Sequence, residues 1–150
     1  ALDLVGRKLS MDGGKYMREY LNLVQAFINE EHSEDLRNDF ITPLKKSIEH
    51  LQAALMFFMQ NGLKNPLSAV SGATDFLHLV GLVSLGFIWS KKAQSAKEKL
   101  KDISANKNFL EAKILTGSYF MHRQLPETKL RLDRILTGEK QVMSLAADQF

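Results

Sequence analysis

The side chains that could do chemistry are four histidines, His32, His50, His78 and His122, together with carboxylates, hydroxyls and lysines, because the chain has no cysteine. That absence excludes disulfides, thiolate metal sites and thiol nucleophiles together. It also fits a reducing compartment, the cytoplasm. A carboxylate-bridged metal site in a helical protein uses glutamate three residues before histidine on facing helices. None of the four histidines has a glutamate at that position, and Glu49 beside His50 points from a different face. Glu30, Glu31, His32, Glu34 and Asp35 gather ligand types in one stretch. They fall on a polar break, where a hydrated loop with capping acids accounts for them better than a metal site. His78, inside an apolar run, is expected to be a hydrogen-bonded core histidine rather than a catalyst. No serine stands in a nucleophile elbow, and Gly13-Gly14 lacks the downstream Gly-Lys-Ser/Thr of a phosphate loop. No catalytic, cofactor-binding or metal-binding residue is therefore expected in this chain.

The elements that would position these groups are helices. One hundred and fifty residues suffice for one domain, with 45% hydrophobic and 25% charged residues. The net charge of +3 is spread along the chain and gives no support to nucleic-acid binding. Leu2, Val5 and Leu9 recur at helical spacing without a preceding cap, and Met11-Asp12-Gly13-Gly14 then turns the chain. Met17, Tyr20, Leu21, Val24, Phe27 and Ile28 define a first helix from about Lys15 to about Asn29. Ser33 is the expected cap of a second helix carrying Leu36, Phe40, Leu44, Ile48, Leu51, Leu55 and Phe58. Pro43 interrupts it, and the unbroken stripe favours one kinked helix over two. Asn61-Gly62 should close it in the left-handed conformation.

Asn65-Pro66 opens a third helix, expected to run past Lys101 as the longest element. Its apolar run, Phe76 to Trp89, is too short to cross a bilayer, so a nearly surrounded bundle helix is expected and no membrane span. Gly72, Gly81 and Gly86 each cost about 1 kcal/mol relative to alanine, which close helix packing would offset. Lys91, Lys92, Lys97, Lys99 and Lys101 suit a solvated helix end. A fourth helix from about Lys107 to about Gln124 has Leu110, Ile114, Gly117 and Met121 on one face and Ala112, Leu115 and Tyr119 on another. Leu125-Pro126 stops it, and a shorter helix with Leu130, Leu132 and Ile135 precedes Gly138. The tail to Phe150 is apolar enough to dock. Phe57, Phe58, Phe76, Phe87, Trp89, Tyr119 and Phe120 fall on helical faces, as core packing requires and a flavin-stacking box does not. The fold class is all-α, an antiparallel four-helix bundle with a short extra C-terminal helix.

Leu4-Val5-Gly6-Arg7-Lys8-Leu9, followed by Gly13-Gly14-Lys15, resembles the segment just after the catalytic turn of large acyl-CoA dehydrogenases. Gly86-Phe87-Ile88-Trp89 with Ala93 is similar to that family's penultimate long helix. Ala112 to Phe120, followed by Leu125-Pro126, is similar to its last long helix and Leu-Pro stop. The resemblance implies a parent that binds FAD and oxidises an acyl-CoA thioester across its α and β carbons, passing electrons to an acceptor. In that family the base is a glutamate upstream of what is Ala1 here. No catalytic or flavin residue of the family maps onto this chain, so a fragment without the base, and without its own FAD, is implied. Residues 1–14 would be a junction from the dehydrogenase core, with Leu2, Leu4, Val5 and Leu9 docking between domains, and 15–150 the C-terminal bundle. Its implied role is rigidity, cover for the core and a share in a homo-oligomer contact. An independent helical interaction module is the alternative.

Overall fold

The computed structural model describes residues 1–61, 64–142 and 144–149. Among them the chain is built of helices and turns without a strand, the all-α bundle that the apolar stripes imply. A π turn Leu4–Lys8 and a 3-10 turn Met11–Gly14 lead into α1 (Lys15–Ile28). Next come α2 (Glu34–Leu36), a π turn Arg37–Ile41, and α3 (Thr42–Asn61). The long α4 (Pro66–Lys99) is followed by α5 (Lys107–Tyr119), a π turn Phe120–Gln124, α6 (Glu127–Thr137) and a 3-10 turn Ala147–Gln149. The reversal before α1 uses left-handed backbone at Asp12 (φ 49°), Gly13 (φ 64°) and Gly14 (φ 78°), which glycine adopts without steric cost.

Two bent rods run antiparallel to α4. The first, Glu34 to Asn61, places Asp35 near Lys97, Leu44 near Gly86 and Phe58 near Gly72. The second, Lys107 to Thr137, places Gly117 near Trp89, Leu125 near Gly86, Arg131 near Asp75 and Ile135 near Gly72. Both rods bend for the same reason. Proline lacks an N–H and clashes with the carbonyl four residues earlier, so an α-helix cannot run through it undisturbed. Ahead of Pro43 the Thr42 N–H reaches back to the Arg37 carbonyl, and ahead of Pro126 the Leu125 N–H reaches the Phe120 carbonyl at 2.9 Å. Each widened turn ends two residues before its proline, and the backbone stays right-handed through both junctions. Pro43 thus bends one helical rod, as the unbroken stripe suggests. Leu125-Pro126 ends α5 by redirecting the rod into α6 rather than by a coil.

The core is one cluster. Phe40, Leu44, Ile48 and Leu51 from the first rod meet Phe76, Leu79 and Val83 of α4 and Met121, Leu125 and Ile135 of the second, all essentially inaccessible to solvent. α1 adds Val24, Phe27 and Ile28. Phe58 and Phe76 meet edge to face with centroids 5.1 Å apart, as do Phe27 and Phe87 at 5.4 Å. Three helical glycines sit at the closest approaches. An added Cβ would meet Phe58 Cζ at 3.2 Å from Gly72, Leu125 Cδ1 at 3.1 Å from Gly86, and Phe40 Cε1 at 2.9 Å from Gly117. Gly81 differs: nothing lies within 4 Å of its Cβ position.

The structure revises several expectations. α4 ends at Lys99 rather than beyond Lys101, because Asp102 accepts from the Ser104 N–H (2.9 Å) and hydroxyl (2.8 Å) and closes a turn in place of another helical step. α4 is not nearly surrounded: Val70, Leu77, Leu85 and Ile88 form an exposed outer stripe with Gly81. Two rods, α1 and the leading segment cannot cover all sides of a helix this long. His78 flanks that stripe and is exposed, so it is not a core histidine. Leu115 and Tyr119 of α5, Leu130 of α6, and Val142 and Leu145 of the tail are also exposed. Among the described residues of the tail, Glu139 is held to the bundle by polar contacts with Asn65 and Ser68. The expected left-handed closure at Gly62 lies outside the described residues, as do Met143 and Phe150 of the tail.

Candidate functional site

Two regions gather functional side chains: a cleft between the two bends, and the face that includes the leading segment. The cleft, of about 180 Å³, lies between α3 and the start of α6 and is lined by Pro43, His50, Met121, Leu125, Pro126 and Thr128. The two π turns bring it together. Asp39 and His122, each four residues before a proline, stand 3.6 Å apart across the bends. Deeper in, His50 Nδ1 and the Thr128 hydroxyl share a hydrogen bond of 2.9 Å, and Thr128 is 1% exposed. Burial pushes the His50 imidazole below its ordinary range, and the Lys46 and Lys129 ammonium groups at the rim push it the same way. The cleft is smaller than the roughly 300 Å³ at which small-molecule sites begin. It joins α3 to α6, and the Asp39–His122 pair is not among the residues that line it.

The other polar groups of the interior are likewise committed to architecture. His32, not His78, is the buried histidine. Its Nε2 donates to the Phe27 carbonyl at 2.8 Å, and its buried Nδ1 has no partner among the described residues. The Ser47 and Ser90 hydroxyls donate to the Leu44 and Gly86 carbonyls, both at 2.8 Å. Tyr20 and Ser84 bond at 2.9 Å and tie α1 to α4; burial raises the phenol's pKa, and this bond opposes the rise. Arg131 donates to Asp75 at 2.9 Å with both side chains 20% exposed, and Arg134 stands 3.7 Å from the same carboxylate. Glu139 accepts from Asn65 Nδ2 at 2.6 Å and from the Ser68 hydroxyl, so its carboxylate sits at the start of α4, where negative charge is favoured. Those contacts, led by Ser68, hold its pKa below the ordinary carboxylate value. Sequence spacing missed the His50–Thr128, Asp75–Arg131 and Glu139–Ser68 pairs because each joins residues more than fifty positions apart. The acid-rich connection Glu30–Asp35 assembles no metal site, and no cluster of three or more ligand-type side chains occurs among the described residues.

The residues expected to dock between domains divide. Leu4, Val5 and Leu9 are half-buried against the bundle, where the leading π turn packs on α4. Leu2 is 61% exposed. Towards the end of α4, Lys97 reaches Asp35 at 3.5 Å, and Lys91 and Lys92 lie over the Phe87 and Trp89 rings at 5.5 and 5.0 Å.

Fold and side-chain placement together define a helical bundle domain whose buried polar groups are hydrogen-bonded within their own helix or to a neighbouring segment. Residues 20–146 match the family described as acetyl-CoA dehydrogenase C-terminal like, and the chain belongs to that family. Over 141 residues, 93% of its length, it is 28% identical to the 3-methylmercaptopropionyl-CoA dehydrogenase of Ruegeria pomeroyi. It spans 24% of that relative's length.

Proposed function

We propose that this bundle is the accessory C-terminal domain of an FAD-dependent acyl-CoA dehydrogenase and is itself non-catalytic. The observation that carries the reading is the family match over residues 20–146. It falls on a bundle in which the buried polar residues among those described, His32, Ser47, Ser68, Ser90 and Thr128, each hydrogen-bond within the chain. Such groups stiffen a domain and offer no reactive centre. In this reading the parent removes two hydrogens from the α and β carbons of an acyl thioester, with the flavin supplied by the upstream core and an electron acceptor completing the cycle. Residues 1–14 form the junction and 15–150 the bundle, with Leu2, Leu4, Val5 and Leu9 as the junction's apolar side chains. A reducing cytoplasmic setting suits a chain without cysteine.

The test is to assay the full polypeptide, with and without residues 15–150, against a panel of acyl-CoA thioesters. The reading expects flavin-dependent oxidation from the full polypeptide, and a truncated form that keeps the chemistry but loses thermal stability or assembly. A full polypeptide without flavin, or without activity on any acyl thioester, would favour an independent helical interaction module.

A further inference from the structure

The outer face of α4 is a long apolar surface that the described residues leave uncovered. Val70, Leu77, Leu85 and Ile88 are 53%, 45%, 48% and 45% exposed, and fall on one side of the helix with Thr74 and Gly81 between them. No Lys, Arg, Asp or Glu lies on that line from Val70 to Ile88. Gly81 sits at its middle. The buried glycines of this domain, Gly72, Gly86 and Gly117, each accept a neighbouring side chain within about a van der Waals contact, whereas Gly81 faces open space. An interior helix glycine costs about 1 kcal/mol against alanine, and close approach by another surface is the offset found at the other three.

We infer that this stripe is the docking face for the upstream part of the same polypeptide, an inference that rests on the reading of the bundle as a C-terminal domain. Three observations select that occupant over a second copy of the chain. The stripe is about 27 Å long and one helix, roughly 10 Å, wide. That footprint falls well short of the roughly 800 Å² per partner that a free, stable complex needs. A tethered partner needs far less, because linkage supplies a millimolar effective concentration. The leading π turn Leu4–Lys8 already packs on α4, so chain arriving from upstream is delivered to this same helix. Leu2, at its head, is still exposed. Finally, the relative from Ruegeria pomeroyi is about four times as long as the segment matched here, which leaves ample chain to cover the stripe. An uncharged apolar stripe with a glycine notch fits an apolar ridge on that upstream part.

The chain has no cysteine, so a single introduced thiol reports on one place. Leu85→Cys, with Gln52→Cys on the exposed side of α3 as reference, is made in the 150-residue chain and in the full polypeptide. Alkylation at each site is followed by peptide mass spectrometry, with circular dichroism confirming the fold; Leu77→Cys repeats the measurement if Leu85→Cys does not fold. In the 150-residue chain the Leu85→Cys thiol should react as fast as the reference. In the full polypeptide it should react at least about tenfold slower, the factor that corresponds to a closed state favoured by about 1.4 kcal/mol. Equal rates in both forms overturn the inference. Protection already present in the 150-residue chain and lost on dilution overturns it in favour of a second copy. Protection in a full polypeptide without flavin-dependent dehydrogenation keeps the docking face and removes the enzymatic reading. Activity with an unprotected thiol does the reverse.

Discussion

Alanine at Gly81 and alanine at Gly117 should move stability in opposite directions, although both sites are interior helical glycines. Helix propensity alone favours each substitution by about 1 kcal/mol. At Gly81 nothing opposes it, since the new methyl has no neighbour within 4 Å. Gly81→Ala should therefore raise the melting temperature by about 2–4 °C, the scale for a domain of this size gaining about 1 kcal/mol. At Gly117 the methyl would stand 2.9 Å from Phe40 Cε1 and 3.2 Å from Trp89 Cε3. Phe40 is fully buried and its ring is held from all sides, so it cannot yield without disturbing the core. Overpacking of that kind costs about 1–3 kcal/mol. Gly117→Ala should come out neutral to about 2 kcal/mol destabilised once the propensity gain is subtracted. Urea denaturation of the 150-residue chain and of the two variants gives both numbers. Their difference removes the propensity contribution and isolates the packing cost. Equal stabilisation by both alanines would refute the close approach of Phe40 and Trp89 to Gly117.

Other contacts make separate predictions. Thr128→Val should cost about 0.5–1.5 kcal/mol by urea denaturation, because it removes the hydroxyl bonded to His50. His50 titrates below its ordinary value of 6.5, so in that window the unfolded chain binds more protons than the folded one. Stability should be at its full value above about pH 6.5 and fall as the pH drops through the folded value; His50→Gln should flatten that slope in a melting-temperature series. The depressed pKa of Glu139 has a different window: its contribution is present above its ordinary value of 4.5 and is lost on acidification below it. Glu139→Gln should remove that acid limb. Asp75→Asn should destabilise by about 1–2 kcal/mol, between the values for exposed and for fully buried ion pairs, since it leaves Arg131 only Glu127 at 3.5 Å and takes the carboxylate from Arg134; Lys129→Ala, whose partner Asp133 is exposed, should cost less than about 0.5 kcal/mol.

Helix positions were legible because burial follows spacing. Of the stripe Leu36, Phe40, Leu44, Ile48, Leu51, Leu55 and Phe58, all but the half-buried Leu55 are buried, and α1 begins where the Gly13-Gly14 turn releases it. Bend geometry was less so. Pro43 and Pro126 announce an interruption, but the choice between a kink, a cap and a π turn depends on what the rods pack against. His78 and His32 show where local reasoning fails. His78 sits in an apolar run yet faces out, because nothing covers that side of α4, while His32 sits among acids yet folds under Phe27 to reach its carbonyl. The same uncovered side explains Gly81: sequence marks an expensive glycine, and only the assembled bundle shows that its neighbour is absent from these residues.

The most direct test of a non-catalytic bundle is to mix the purified 150-residue chain with FAD and acyl-CoA thioesters, then measure bound flavin absorbance and acyl-CoA-dependent dye reduction. The account predicts a helical, colourless protein with no turnover above the flavin blank. Stoichiometric flavin retained through gel filtration, or thioester oxidation by this chain alone, would contradict it.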